Sequence, residues 1–448
     1  MIKKFSLILI VLIGFQLQAQ NDYRFSLEEA ISFALDSNYT AINARKDIAK
    51  AIKQKWETTA TGLPQISAEV SYQNQLKQPV TLIPAEITGG EAGTFTPVIF
   101  GTQHNASATA TLNQLIFDGS YLVGLQAARA FLDFSENANE KTRLEVRKGV
   151  INAYGSVLLA EELLEIFEKN KVAVEKNLFE TRKIYENGLA EEEDVEQLEI
   201  TLLDLEINIQ NTERTLAIAK QMFNVALGID IATPTFLTED LDMLAQQNIQ
   251  LSFMQQALSM EENVDYKIAF NLTEQRSLEM KLEKSRALPS LNAFVNYGTQ
   301  AFSNEFDLLN SSQPWFQSSV LGVNMSIPIF SSGMRSAKTQ RAKIALEQAE
   351  TDLEETMQTI KLEHDTAKNN YQFSIDKYNN AKKNLNLAER IETKNQIKFT
   401  EGIATSFELR QAQLQLYTAQ QQYFQSMLDL INSKAELETV LNTPQLRN

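Results

Sequence analysis

Few side chains in this chain are equipped to break or make a covalent bond. Cysteine is absent and histidine occurs twice, as His104 and His364, far apart. No HExxH helix, phosphate-cradling glycine loop or nucleophile elbow accompanies them, so no enzyme, no cofactor and no metal site is expected. His104 near a loop and His364 in a helical stretch read as solvated side chains rather than ligands. What the chain does concentrate is carboxylate behind glycine turns. Glu191, Glu192, Glu193 and Asp194 follow Gly188 and Leu189, and Thr405 and Glu408 follow Gly402 and Ile403. Acids in a first helical turn accept hydrogen bonds from free amides and favour the helix dipole, while a glycine supplies the preceding turn. The chemistry open to them is therefore electrostatic, at the tips of helical hairpins.

The elements that carry those tips occur twice. Leu63-Pro64-Gln-Ile-Ser-Ala-Glu-Val-Ser-Tyr72 returns as Leu288-Pro289-Ser-Leu-Asn-Ala-Phe-Val-Asn-Tyr297. A repeat of this length means two copies of one unit. Each half reads as an amphipathic helix, a helix-to-strand junction at Pro64 or Pro289, two strands around a loop, a very long helix, a glycine turn and a returning helix. The first half (20–228) opens on the capping-box pattern Ser26-Leu-Glu-Glu29 and stays helix-like to about Thr61. It continues with strands at 64–76 and 105–117 and a hairpin at 119–228. Residues 229–250, with Pro234, read as a linker. The second half (251–448) holds a helix to about Ala287, strands at 289–301 and 316–330, and a hairpin at 334–442.

The strands alternate with period two. Ile66, Ala68, Val70 and Tyr72 interleave with Ser67, Glu69 and Ser71, and Ala106, Ala108 and Ala110 with Ser107 and Thr109. Leu291, Ala293 and Val295 flank Asn292, and Leu321, Val323 and Met325 flank Asn324 and Ser326. One apolar face, one polar face almost free of charge, and Phe100, Phe117, Trp315 and Phe330 near strand ends suit membrane-spanning strands. A small soluble sheet half-buried on a helix shows the same alternation. No later segment approaches the run of about 20 apolar residues needed for a membrane helix, so insertion would have to be through strands. Four strands cannot close, and an open edge cannot face lipid, so other copies must complete the sheet. Two copies would fill their barrel with side chains; three leave room for a lumen.

In the long helices, Ala153, Val157, Ala160, Leu164, Phe167, Val174 and Leu178 recur at heptad spacing, with Lys171 in the seam. Val195, Leu198, Leu202, Leu205 and Ile209 repeat this on the return, and Phe407, Leu414, Tyr417, Phe424, Leu428 and Ile431 in the second half. A helix over 119–186 would be roughly 100 Å long, several times the thickness of a bilayer core. The N-terminus, with Lys3, Lys4, an apolar run from Phe5 to Phe15 and small Ala19, reads as a signal peptide over 1–19. A formal charge of −16 argues against nucleic acid and for a surface or lumen that tolerates cations.

Taken together, the duplicated Leu-Pro strands, the turns Ile116-Phe117-Asp118-Gly119 and Ile329-Phe330-Ser331-Ser332-Gly333, and the tips Gly188-Leu189 and Gly402-Ile403 resemble the TolC family of outer membrane efflux proteins. The resemblance covers essentially the whole mature chain. It implies a mainly α fold with transmembrane β-strands: a homotrimer with a twelve-stranded barrel, four strands per chain, continued by a long α-helical coiled-coil barrel. The place implied is the outer membrane of a Gram-negative bacterium, in contact with its lipid and extending into the periplasm. The activity implied is that of a passive exit duct for small molecules or polypeptides. Its tips would meet a periplasmic membrane fusion (adaptor) protein and an inner-membrane pump of the RND or ABC type.

In the family, acids after the tip glycines narrow the closed entrance. Here Glu408 and Asp194 fall at such positions, with Glu191, Glu192 and Glu193 beside them, but Gln411 stands where a second acid is common and Ala404 replaces a frequent basic residue. The ionic ring is thus incomplete. Gly188, Leu189, Gly402 and Ile403 become adaptor contacts, and Glu69, Ser67, Ser71, Thr109, Asn292 and Asn324 line the barrel. The competing reading is a periplasmic helical adaptor or scaffold without a pore, although adaptors usually carry one hairpin rather than two.

Overall fold

The computed structural model describes residues 23–307, 310 and 312–442; the expected signal peptide lies outside them. In chain order the elements are β1 (Tyr23–Phe25), α1 (Leu27–Ser37), α2 (Tyr39–Ala60), β2 (Gln65–Asn74), β3 (Val80–Pro84), β4 (Phe95–Ile99), β5 (His104–Phe117), α3 (Gly119–Glu186), α4 (Glu192–Leu227), β6 (Thr235–Leu237), α5 (Leu241–Gln247), α6 (Val264–Ser285), β7 (Ser290–Ser303), β8 (Phe316–Ser326), α7 (Met334–Thr400) and α8 (Ser406–Val440). The chain forms two compact units. A strand unit comprises Ala49–Phe134 and Phe270–Asp352, and a helical unit comprises the chain up to Ile48, Ser135–Ala269 and everything from Leu353.

The strand unit is built on an antiparallel sheet of order β2-β5-β7-β8. Its register aligns Ile66 with Leu112, Val295 and Leu321 on one face. On the other, Glu69 aligns with Thr109, Gly298 and Ser318. β8 ends at Ser326 rather than at the expected residue 330. Pro328 offers no amide to a ladder, and the carbonyls of Pro328 and Ile329 accept from the Arg335 guanidinium at 2.6 and 3.1 Å, which turns the chain into α7. The loop between β2 and β5 carries an unforeseen hairpin, β3 on β4, because two short alternating segments flank the glycines of Thr88-Gly-Gly-Glu91.

The helical unit has one main core. Tyr154 and Phe223, both fully buried, meet edge to face with centroids 5.7 Å apart. Phe25, Leu227, Leu241, Tyr371, Met427 and Leu430 pack in the same cluster. Two expected continuous helices are interrupted here. The first breaks at Asn38, whose backbone is extended and whose side chain donates to the Ala226 carbonyl at 2.8 Å and accepts from the Thr40 amide at 2.8 Å. The second begins only at Val264, because Asn263 caps it by accepting from the Asp265 amide at 2.9 Å, while Leu251–Gln255 and Met260–Glu262 are single 3₁₀ turns. Nor is 229–250 a featureless linker. β6 pairs in parallel with β1, and Asp240 caps α5 by accepting from the Met243 amide at 2.7 Å. Short elements of this kind fall below the length at which periodicity is readable.

Between the hairpins a smaller cluster joins Phe167 and Val174 of α3, Leu205 of α4, Ala388 of α7 and Leu416 and Tyr417 of α8. The polar member of the α3 seam is Asn170, not Lys171. Asn170 is buried, whereas Lys171 turns outward to Glu206 at 3.0 Å.

Candidate functional site: hairpin tips and a two-faced sheet

The two tips are built alike. Gly188 and Gly402 adopt φ of +74° and +73°, which side-chain-bearing residues rarely adopt, and each reverses the chain within a few residues. Behind Gly402, Thr405 caps α8: its hydroxyl accepts from the Glu408 amide at 3.2 Å and the Glu408 carboxylate accepts from the Thr405 amide at 2.9 Å. Behind Gly188, Glu191 takes the cap position of α4, and its amide donates to Asp194 at 3.2 Å. Leu189 and Ile403 are bare to solvent. Glu191, Glu192, Glu193, Glu408 and Gln411 are exposed as well.

Asp194 does a second thing. Its other oxygen accepts from the hydroxyl of Ser406, a residue only 2% exposed, so the first residue of α8 is tied to the first turn of α4. Sequence reasoning singles out Asp194 but passes over Ser406, since a serine beside a capping threonine carries no signal of its own. Further from the tips, Asn177 pairs with Gln396 and Asn170 with Gln420, each bridging one hairpin to the other.

The same stretch holds buried polar atoms that find no partner among the described residues: Thr181 Oγ1, Gln197 Oε1, Arg410 Nε and Gln413 Oε1. Each such group costs about 1–3 kcal/mol. The tip end of the hairpins is thus held by a few side-chain hydrogen bonds, one of them to the Asp194 carboxylate, by the Arg182–Glu199 ion pair and by a three-residue apolar cluster of Leu178, Val195 and Leu198. Packing there is sparse compared with the aromatic core around Tyr154.

In the strand unit, strand pairing puts Glu69, Ser67, Ser71, Thr109, Asn292 and Asn324 on one face of the sheet. Ser71 and Ser107, directly opposite one another, share a hydrogen bond of 2.8 Å. Glu69 is the only Asp, Glu, Lys or Arg in the four strands of this sheet. The opposite face is apolar and bare: Ile66 is 74%, Val70 81% and Leu321 77% exposed. A sheet in water buries such a face, so its exposure in the single chain calls for an apolar medium. Pro64 and Pro289 each stand in the short turn between a helix and the first residue of a strand.

His104 differs from expectation. It is 8% exposed, accepts or donates at Nδ1 with the Tyr72 hydroxyl at 2.7 Å, and stacks on the Tyr72 ring with Phe306 edge-on to both. His364 likewise is mostly covered, with Nδ1 3.2 Å from Asp365. Neither lies among other ligating groups: among the described residues no cluster of three or more His, Cys, Asp or Glu could hold a metal ion. No helix among them is long and apolar enough to cross a membrane.

Comparison with known proteins agrees with this geometry. TolC of Vibrio cholerae is 23% identical over 347 residues, which is 75% of this chain and 76% of that protein. The crystal structure of VceC from Vibrio cholerae superposes with a TM-score of 0.72 at 16% identity, over 93% of this chain and 96% of that one. The CmeC outer membrane channel of Campylobacter jejuni gives a TM-score of 0.72 at 16% identity, over 93% and 85%. The family model described as outer membrane efflux protein matches twice, over residues 30–228 and 254–443. Together these two stretches take in most of the chain, which therefore belongs to the outer membrane efflux protein family.

Proposed function

We propose that the chain is the outer membrane exit duct of an export system, acting as a trimer. The observation that carries this reading is the two-faced sheet with two free edges. β2 and β8 have no neighbour on their outer sides among the described residues, and the bare apolar face needs lipid. Four strands cannot satisfy their edges inside a bilayer, and three copies give twelve strands around a lumen. The polar face with Glu69 then lines the lumen, and the single charge per copy favours cations. On α4, the exposed residues Ile200, Leu203 and Ile207 are spaced by three and four, and Ile218 and Met222 resume the stripe eleven residues on, close to three helical turns, so they offer an apolar seam to a neighbouring copy. A passive duct of this kind calls for no catalytic step.

The tips are the intake. Leu189 and Ile403 give an adaptor protein exposed apolar contacts next to the glycine turns, and an inner-membrane pump would deliver solute there. Binding that favours splayed tips over closed ones shifts the equilibrium by the difference in affinity. The contacts to be parted are the hydrogen bonds that bridge the hairpins, among them the one from Ser406 to Asp194, while Glu408 is engaged as a cap.

The test is reconstitution of the purified protein into planar bilayers. Discrete cation-selective conductance from a trimeric, carbonate-resistant species is expected. Carbonate-soluble monomer without conductance would instead identify a poreless periplasmic scaffold.

A further inference from the structure

In the helical unit, a cavity of about 180 Å³ lies between α1, α3, α8 and the segment 248–253. It holds three charged side chains, Arg147, Lys434 and Glu438, against an apolar wall that includes Ile151 and Phe253. The Glu438 carboxylate is 2.6 Å from the Arg147 guanidinium and 3.6 Å from the Lys434 ammonium. These side chains are 11%, 19% and 9% exposed, so all three charges are largely withdrawn from water.

One carboxylate between two cations leaves one positive charge over. Buried charge is tolerated when it is paired and hydrogen-bonded, and a surplus is costly. Lys434 illustrates the shortfall. Its nearest carboxylate oxygen stands beyond hydrogen-bond length, and its other neighbour is the Phe253 ring at 5.6 Å, which attracts a cation but accepts no proton from it in the ordinary sense. Burial lowers the pKa of Lys434; Glu438 opposes that shift and Arg147 reinforces it. Arg147 has donors to spare, since a guanidinium offers five in a fork that fits a planar or tetrahedral oxyanion.

We infer that this cavity is a binding site for a small oxyanion, of carboxylate or phosphate size, held between Arg147 and Lys434. Its volume sets the class: it has room for several waters at about 30 Å³ each, and drug-sized ligands need roughly 300 Å³ or more. The bound anion neutralises the surplus charge and ties α3, through Arg147, to α8, through Lys434. Nothing in the duct reading requires it, so the two stand or fall separately.

Purified full-length protein in detergent is unfolded thermally while sodium phosphate or sodium acetate is titrated against sodium chloride at matched ionic strength. A ligand that binds only the folded state raises the midpoint with a saturating dependence on its concentration, by a few degrees for a unit of this size. That saturating rise is expected with at least one of the two oxyanions, and which one saturates tells whether the site takes a carboxylate or a phosphate. Lys434→Met, of similar length and without charge, is expected to weaken the affinity at least tenfold. No saturable rise over chloride in the parent protein, or an undiminished one in Lys434→Met, overturns the proposal. Anomalous scattering from selenate-soaked crystals gives a second reading that needs no variant: a peak beside Lys434 is expected, and its absence at saturating selenate overturns the site.

Discussion

Asn177 and Gln396 exchange amides across the two hairpins: Nδ2 of Asn177 donates to Oε1 of Gln396 at 2.9 Å, and Nε2 of Gln396 returns a bond to Oδ1 of Asn177 at 3.1 Å. The pair joins α3 to α7 within a few turns of both tips. It carries no charge, so what it contributes to closure is insensitive to salt, unlike a latch made of ions.

Asn177→Ala removes both bonds and leaves the Gln396 amide without its partner. The cost of such a loss is about 1–3 kcal/mol, borne by the closed arrangement. In single-channel recordings the variant is expected to open more often than the parent at every salt concentration. An increase that appears only at low salt would assign closure to charges instead.

Thr181→Val should act in the opposite direction. The Thr181 hydroxyl is buried without a partner among the described residues, and valine fills the same volume without the polar atom. Removing the desolvation penalty stabilises the closed tips by about 1 kcal/mol or somewhat more. Lower open probability and a higher unfolding midpoint are the expected readouts, and a lower midpoint would show that the hydroxyl had been satisfied.

The sheet is readable from residues alone because period-two alternation over ten or more residues has few other causes, and the register confirms each parity. The long hairpins are readable for the same reason, at heptad spacing. What escapes is anything decided by one side chain meeting a distant backbone. Asn38 ends a helix through a carbonyl of Ala226, and Leu27 donates to Glu239 at 2.7 Å across the unit. Ser406 becomes a tip contact only because the fold brings Asp194 to it. His104 reads wrongly as solvated because its partners, Tyr72 and Phe306, lie on other segments.

Glu162 provides a pH dependence with a definite sign. Burial raises its pKa, and the nearby carboxylates of Glu165, Asp240 and Asp242 raise it further against the pull of Lys169. The charged form is therefore the one the fold disfavours. The penalty is full above the raised folded value and absent below the ordinary value of 4.5, so stability falls as pH rises through that window. Glu162→Gln is expected to raise the unfolding midpoint at pH 7.5 and to match the parent at pH 4. A gain that persists unchanged at pH 4 would assign the effect to something other than charge.

The two faces of the sheet can be told apart by one substitution on each. Val70 and Ser71 are neighbours in β2, so their side chains point to opposite faces. If the apolar face meets lipid, Val70→Arg puts a charge against hydrocarbon, at a cost of about 2–4 kcal/mol near the bilayer midplane and less toward the interfaces. Ser71→Arg puts the same charge on the polar face, where water reaches it. Outer membrane fractions should therefore lose the Val70→Arg protein but retain Ser71→Arg. The retained variant should in turn show weaker cation preference, because the guanidinium introduced in each copy would stand close to the only acid on that face, Glu69. Equal loss of both variants would mean that neither face meets lipid and that the sheet is buried in protein on both sides.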